Sequence, residues 1–147
     1  MDKTKYGKYI ITTTKPNLAV PAFRGQDLTK VDWSTQTLYL DNEVIKGSNY
    51  VECIWLWKAD PSPEGASPHT HDFNEVIGFC GTNFQDPSDL GGEIELWLGD
   101  EKHILTKSCI VFVPKGLKHC PLKIKRVDRP IFHFGMGTGK MYTGKKA

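Results

Sequence analysis

The sequence predicts an all-β protein folded as a single domain. Short runs of β-branched and aromatic residues recur along the chain. No stretch sustains the 3.6-residue period of an amphipathic helix, and Gly and Pro punctuate the intervals between runs. Many short strands at near-regular spacing close as a sandwich or barrel. At 147 residues the chain fits one such core and leaves little room for a second.

Taken in order, the predicted strands are Tyr9–Thr14, Thr37–Leu40, Tyr50–Lys58, Glu75–Gly81, Glu93–Leu98, His103–Thr106, Ser108–Val113, Leu122–Arg126 and Ile131–Gly135. Pro61 to Gly65 and Asp86 to Gly92 mark loops. Leu98-Gly-Asp-Glu101 has the form of a tight hairpin turn, and Pro114-Lys-Gly116 ends the most apolar strand sharply. One short helical turn is the most that Gly25–Trp33 supports. No internal repeat or low-complexity linker interrupts the chain.

Hydrophobic residues make up 39% and charged residues 24%, enough for a core without staples. The formal net charge of +2 is too small to point to nucleic acid. Basic residues group at Lys3 to Lys8, at Lys140 to Lys146, and at Lys123, Lys125 and Arg126. These read as solvated tails and a solvated strand edge, with attraction of an anionic substrate by the third group as the alternative. No apolar stretch is long enough to span a bilayer, and the N-terminus lacks the apolar run of a secretion signal, so the expected location is the cytoplasm. Cys53, Cys80 and Cys109 lie in apolar runs and read as buried thiols in a reducing compartment. No two cysteines have the close spacing of a zinc ribbon or redox motif.

The chemistry concentrates in Pro68-His-Thr-His-Asp-Phe-Asn-Glu75. On an extended chain alternate residues share a face, so His69, His71, Phe73, Glu75, Ile77 and Phe79 point the same way. A carboxylate facing an apolar interior is costly unless something compensates it, and a divalent cation does so. Downstream, Pro114-Lys-Gly-Leu-Lys-His119 is a turn that places His119 at the head of the next strand. If that strand lies beside the first, His119 completes a set of three imidazoles and one carboxylate. Such a set suits one divalent ion (Fe, Mn, Ni, Zn or Cu) and leaves coordination positions for water or substrate.

The paired motifs H-x-H-x-x-x-E and P-x-G-x-x-H resemble those of the cupin superfamily, and Gly81, six residues after Glu75, matches as well. The resemblance covers about residues 50 to 136. It implies a cupin-type double-stranded β-helix, a jelly-roll barrel of two antiparallel sheets. The segment 9–49 would pack on it as N-terminal strands, and 137–147 would form a short tail. It also implies that His69, His71, Glu75 and His119 are the metal ligands, and that the chain forms a homodimer, for which the apolar Tyr50–Lys58 strand offers a contact edge. Three turn positions depart from the pattern: Pro63 and Ser108 replace glycines, and Lys123 replaces an asparagine. The Asn83–Gly92 segment reads as an insertion able to cover the pocket mouth.

Other residues carry two readings each. His133, among the aromatics of Pro130-Ile-Phe-His-Phe134, is either packed core or an acid/base group facing the metal. Glu52 is a strand carboxylate, a type that usually faces solvent, with proton transfer as its alternative. Glu95 reads the same way. Trp55 and Trp57 belong either to core or dimer packing or to an aromatic pocket wall. Cys120 is either a packed thiol or a reactive one beside the metal, and His103 is expected at the surface.

Together these features predict a metal-dependent enzyme acting on a small organic molecule, aromatic or bearing a carboxylate or enol. The aromatic content leans toward a dioxygenase, with isomerase, decarboxylase or lyase chemistry as alternatives. A ligand-binding module without turnover is the rival from another class, and a purely structural metal site is a third.

Overall fold

Ten strands, β1 to β10, run through the computed structural model, which describes residues 4–21, 23–24 and 31–147. They are β1 (Ser34–Leu40), β2 (Tyr50–Leu56), β3 (His69–Thr70), β4 (Glu75–Cys80), β5 (Asp89–Leu98), β6 (Glu101–Lys107), β7 (Cys109–Val113), β8 (His119–Val127), β9 (Ile131–Gly137) and β10 (Lys145–Lys146). All pair antiparallel in two five-stranded sheets, ordered β1-β2-β9-β4-β7 and β10-β3-β8-β5-β6. This is the jelly-roll arrangement the sequence implied. Among the described residues no helix is long and apolar enough to cross a membrane.

Alternation drives the packing. Along β2, Tyr50, Glu52, Ile54 and Leu56 are buried and the residues between them are not. Ile54, Leu56, Ile77, Phe79, Leu90, Ile94, Val113, Ile124 and Ile131 fill the space between the sheets with Trp33. A second cluster, Tyr39, Tyr50 and Phe73, closes one end.

The turns match their residue chemistry. Leu98 pairs with Glu101 across a two-residue turn, and Gly99 at its first position has φ +59, the demand of a type II′ hairpin. In the turn before His119, Leu117 N–H donates to Pro114 O at 3.0 Å, and Gly116 takes φ +82, which a side chain would resist.

Four expectations need correction. Tyr9–Thr14 is not a strand. A 3₁₀ turn covers Gly7–Tyr9 and the rest is irregular, with Tyr9 and Ile10 exposed, because β propensity without a partner strand does not hold a ladder. The C-terminal segment is no free tail, since Lys145 and Lys146 pair with Thr70 and His69. The Tyr50–Lys58 strand is not an edge, because β1 and β9 cover both its sides. Cys80 is exposed rather than buried, while Cys53 and Cys109 are half-buried. The predicted turn at Gly25–Trp33 falls largely outside the described residues.

Candidate metal centre

His69 stands on β3 and His119 on β8, and the two are direct cross-strand partners. His71 follows β3 immediately. Glu75 opens β4 in the opposite sheet. The sequence argument placed His69, His71 and Glu75 on one face of a single strand. The chain instead crosses from one sheet to the other between His71 and Glu75; His71, Glu75 and His119 bring their ligand atoms within 4.8 Å of one another because the two inner faces oppose each other, and His69 comes as close to His119 but is not in that group. All four side chains are buried.

The ring orientations are fixed by backbone carbonyls. His69 Nδ1 lies 2.7 Å from Ser67 O, His71 Nδ1 2.6 Å from Thr143 O, and His119 Nδ1 3.1 Å from Leu117 O. A carbonyl only accepts, so each Nδ1 carries the proton and each Nε2 presents a lone pair. All three Nε2 atoms are buried without a hydrogen-bond partner. Orphaned buried acceptors are costly, and three converging ones need a shared partner. Glu75 Oε1 stands 3.6 Å from His71 Nε2 and 3.4 Å from His119 Nε2. Those gaps are too long for good hydrogen bonds and suit donors placed around one cation. Burial lowers the pKa of His71, and it takes that of His69 down to about 3, so neither ring carries a charge that would repel a metal near neutrality. The residues present therefore fit a divalent metal ion.

The cavity above these ligands has a volume of about 90 Å3, small against the several hundred typical of drug-sized sites. Its wall includes Phe23, Tyr50, Ile54, Tyr142, His133 and Glu52. Glu52 does not face solvent. It is 2% exposed and accepts from Arg24 at 3.2 and 2.5 Å, from Gln36 Nε2 at 2.7 Å and from the Tyr50 hydroxyl at 2.7 Å. Burial pushes this carboxyl up, but the Arg24 charge and these hydrogen bonds outweigh it and hold Glu52 below the usual carboxylate range. His133 lines the same cavity, with Nδ1 2.9 Å from Gly78 O and its ring stacked on Phe79 at 4.5 Å. Desolvation keeps its pKa below the ordinary value, so the ring is neutral and its Nε2 is unprotonated.

Other candidates sit elsewhere. Trp55 and Trp57 stack on each other on the outer side of their sheet, with Trp57 41% exposed, and do not line the cavity. The Asn83–Gly92 segment lies beyond the Cys80 end of β4, away from Glu75, tied by Asp89 to Arg129. None of its residues lines the cavity. Glu95 and Lys123 face each other at 4.0 Å, and Arg126 bonds Asp128, so two of the three basic residues on β8 have acidic neighbours. His103 lies beside Glu101 at 3.2 Å at the surface.

Sequence reasoning missed Phe23, Arg24 and Tyr142. Phe23 stacks on His69 at 4.0 Å, and Arg24 lies over the Tyr142 ring at 4.9 Å. Tyr142 in turn stacks on Tyr50 at 4.5 Å. All three come from segments with no strand pattern, so periodicity carried no signal for them. A lone aromatic in a basic C-terminal stretch was the single available hint.

The topology and ligand set can be compared with known proteins. No family model matches the chain, and no curated protein matches it either. Solved structures do. Oxalate oxidase superposes over 94% of this chain and 78% of its own, at 13% identity and a TM-score of 0.51. A mutant of Bacillus subtilis oxalate decarboxylase covers 91% of this chain and 34% of its own, at 13% identity and a TM-score of 0.51. The chain has the cupin fold. An RmlC-like cupin from Shewanella frigidimarina is similar over 73% of this chain and 76% of its own, at 13% identity and a TM-score of 0.40. The two histidine motifs lie on either side of the β3–β8 pairing.

Proposed function

We propose that this cupin is a metal-dependent enzyme that moves a proton on a small carboxylate- or enol-bearing molecule. The observation that carries this is the meeting of the orphaned His119 nitrogen with those of His71 and His69 and with Glu75, beneath a small cavity that His133 also lines. His69, His71, Glu75 and His119 would hold the ion. When bound, a divalent metal acts as a Lewis acid on a carbonyl or carboxylate oxygen.

The remaining steps belong to side chains. The cavity size selects a molecule of few heavy atoms over a polycyclic one. The apolar wall excludes water and strengthens electrostatics within. His133 offers an unprotonated Nε2 to take a proton from a carbon beside the polarised group, and the resulting imidazolium would be stabilised by Glu52 and could return the proton elsewhere. The Arg24–Glu52 pair supplies a fixed dipole whose cationic end suits an anionic substrate. Oxalate oxidase has been seen with the substrate analogue glycolate, which fits the size and charge inferred here.

Oxygen insertion is the second reading, favoured by the water-excluding wall. Its aromatic wall is Phe23, Trp33, Tyr50 and Tyr142, while Trp55, Trp57, Phe132 and Phe134 do not line the cavity.

The test is exchange from deuterated water into small 2-oxo and 2-hydroxy acids with iron(II), manganese, nickel or zinc loaded. Expected is incorporation beside the carboxylate, lost in His133→Phe at unchanged metal content. Turnover that requires dioxygen would instead establish the oxygenase. Ligands that bind and leave with every proton intact would make the protein a binding module.

A homodimer fits the outer side of the β1–β7 sheet. There Phe112, Val76, Met136 and Val51 form one cross-strand row, and Ile110, Gly78, Phe134 and Cys53 the next. Ile110 is 71% and Phe112 57% exposed. The solvated side of an antiparallel sheet is ordinarily polar, and an apolar one calls for cover.

A further inference from the structure

Cys120 has no role in the mechanism above, and its position is unusual. Between Leu96 and Leu98 on β5 the partners on β8 are Leu122 and His119, so β8 carries one extra residue there. A bulge of this kind breaks alternation and re-aims a side chain. Here it buries His119 and Cys120 in succession and turns both toward the cavity. Cys120 also has φ +75, a region that non-glycine residues occupy at a cost and that clusters at functional sites. Its Sγ and one ligand nitrogen each of His69 and His119 all lie within 4.8 Å of one another. The Nε2 atoms of those two histidines are buried and without partners.

We propose that Cys120 is a further metal ligand of this centre, which therefore holds two overlapping donor sets. His71, Glu75 and His119 form a harder set suited to manganese or ferrous iron. His69, His119 and Cys120 form a softer set for thiophilic ions such as zinc, cobalt(II) or cuprous copper. The inference rests on the metal-centre reading above. Coordination converts the Cys120 thiol to a thiolate and releases its proton to solvent, with no change in oxidation state. The metal that occupies the site then decides whether sulfur enters its shell and how many positions stay open for substrate.

Zinc and cobalt(II) are the probes, bound in turn to the whole chain. X-ray absorption at the zinc edge should find one sulfur at about 2.3 Å beside nitrogen or oxygen at about 2.0–2.1 Å. The cobalt form should show a thiolate charge-transfer band in the near ultraviolet. That band should vanish in Cys120→Ser with the visible cobalt bands retained, and persist in Cys80→Ser. Zinc affinity should fall about tenfold or more in Cys120→Ser, and manganese affinity about twofold or less. A sulfur-free shell around bound zinc overturns the proposal without any variant, so misfolding of Cys120→Ser would not shelter it. A cobalt band that survives Cys120→Ser overturns it too. Failure of zinc and cobalt to bind while manganese binds overturns this proposal alone, and failure of all three to bind overturns the metal centre itself.

Discussion

His69 and His119 face each other as cross-strand partners of β3 and β8, their ring centroids 4.2 Å apart. The pairing joins two motifs that lie fifty residues apart in the chain. Each ring also donates from Nδ1 to a carbonyl two residues before it, Ser67 for one and Leu117 for the other. The two Nε2 atoms are therefore aimed before any metal arrives. Alanine at either position should weaken metal binding more than tenfold, as measured by competition with a chelator. Removing the metal from the wild-type protein should lower its unfolding temperature. At a metal concentration a thousand times Kd, the bound ion contributes about 4 kcal/mol.

The C-terminal segment should matter to metal binding although it supplies none of the proposed ligands. Thr143 O accepts from His71 Nδ1 at 2.6 Å, and Tyr142 packs beside the same ring at 5.3 Å. Deleting 142–147 frees His71 to rotate and to change tautomer. Metal affinity should fall about 10–100-fold, the usual consequence of losing a partner behind a ligand. Calorimetric titration of the truncated chain measures this, and unchanged affinity would remove the segment from the site.

Arg24 and Glu52 form an enclosed ion pair, with side-chain exposures of 14% and 3%. Arg24→Ala leaves Glu52 buried with only Gln36 and Tyr50 to serve it. The expected loss of stability is about 3–5 kcal/mol by denaturant unfolding. Adding Glu52→Gln should recover much of that loss, because no charge is then stranded. A double variant as unstable as Arg24→Ala would show that the pair acts through packing alone.

Acid should destabilise the metal-free protein in two stages. His133 has a folded pKa below its ordinary 6.5, set first by desolvation. The unfolded state binds its proton first, so this contribution is complete above the unfolded pKa and is lost as pH falls below about 6.5. His69 and His71 act in the same direction. Glu52, depressed from 4.5 by Arg24 against its burial, adds a second loss below about that pH. Unfolding curves from pH 7.5 to 3.5 should trace both stages. His133→Phe should flatten the first stage by up to about one proton, and an unaltered slope would count against a neutral, enclosed His133.

If the outer side of the β1–β7 sheet binds a second copy of the chain, charge placed there should separate the pair. Phe112→Lys, at a residue 57% exposed on the outer side of the sheet, should convert dimer to monomer in light scattering while metal content stays the same. A wild-type chain that is monomeric at all working concentrations would end the idea.

The alternation along Tyr50 to Leu56 and the punctuation by Gly and Pro made most strands legible. Two-residue strands such as β3 and β10 were not, because no period can be read from two residues. Tyr9–Thr14 has strand composition without a neighbour to pair with. The candidate metal-binding residues were legible through spacing and family resemblance, although the parity argument placed His69, His71 and Glu75 on one strand where the chain in fact crosses between sheets. The supporting residues Phe23, Arg24 and Tyr142 left no pattern, since they reach the site from irregular segments.

What the sequence by itself determined is the all-β class, the turns, and two short motifs that carry three imidazoles and a carboxylate. Each depends on neighbours close in the chain, where pleat and turn geometry act directly. The tertiary structure alone decided that Glu75 meets the histidines across the gap between two sheets, and that Glu52 is locked to Arg24. It also decided that the tryptophans stand outside the cavity while Cys120 stands inside. Those outcomes depend on which sheet a strand joins and where a bulge shifts its register, and a one-residue shift reverses the face a side chain occupies.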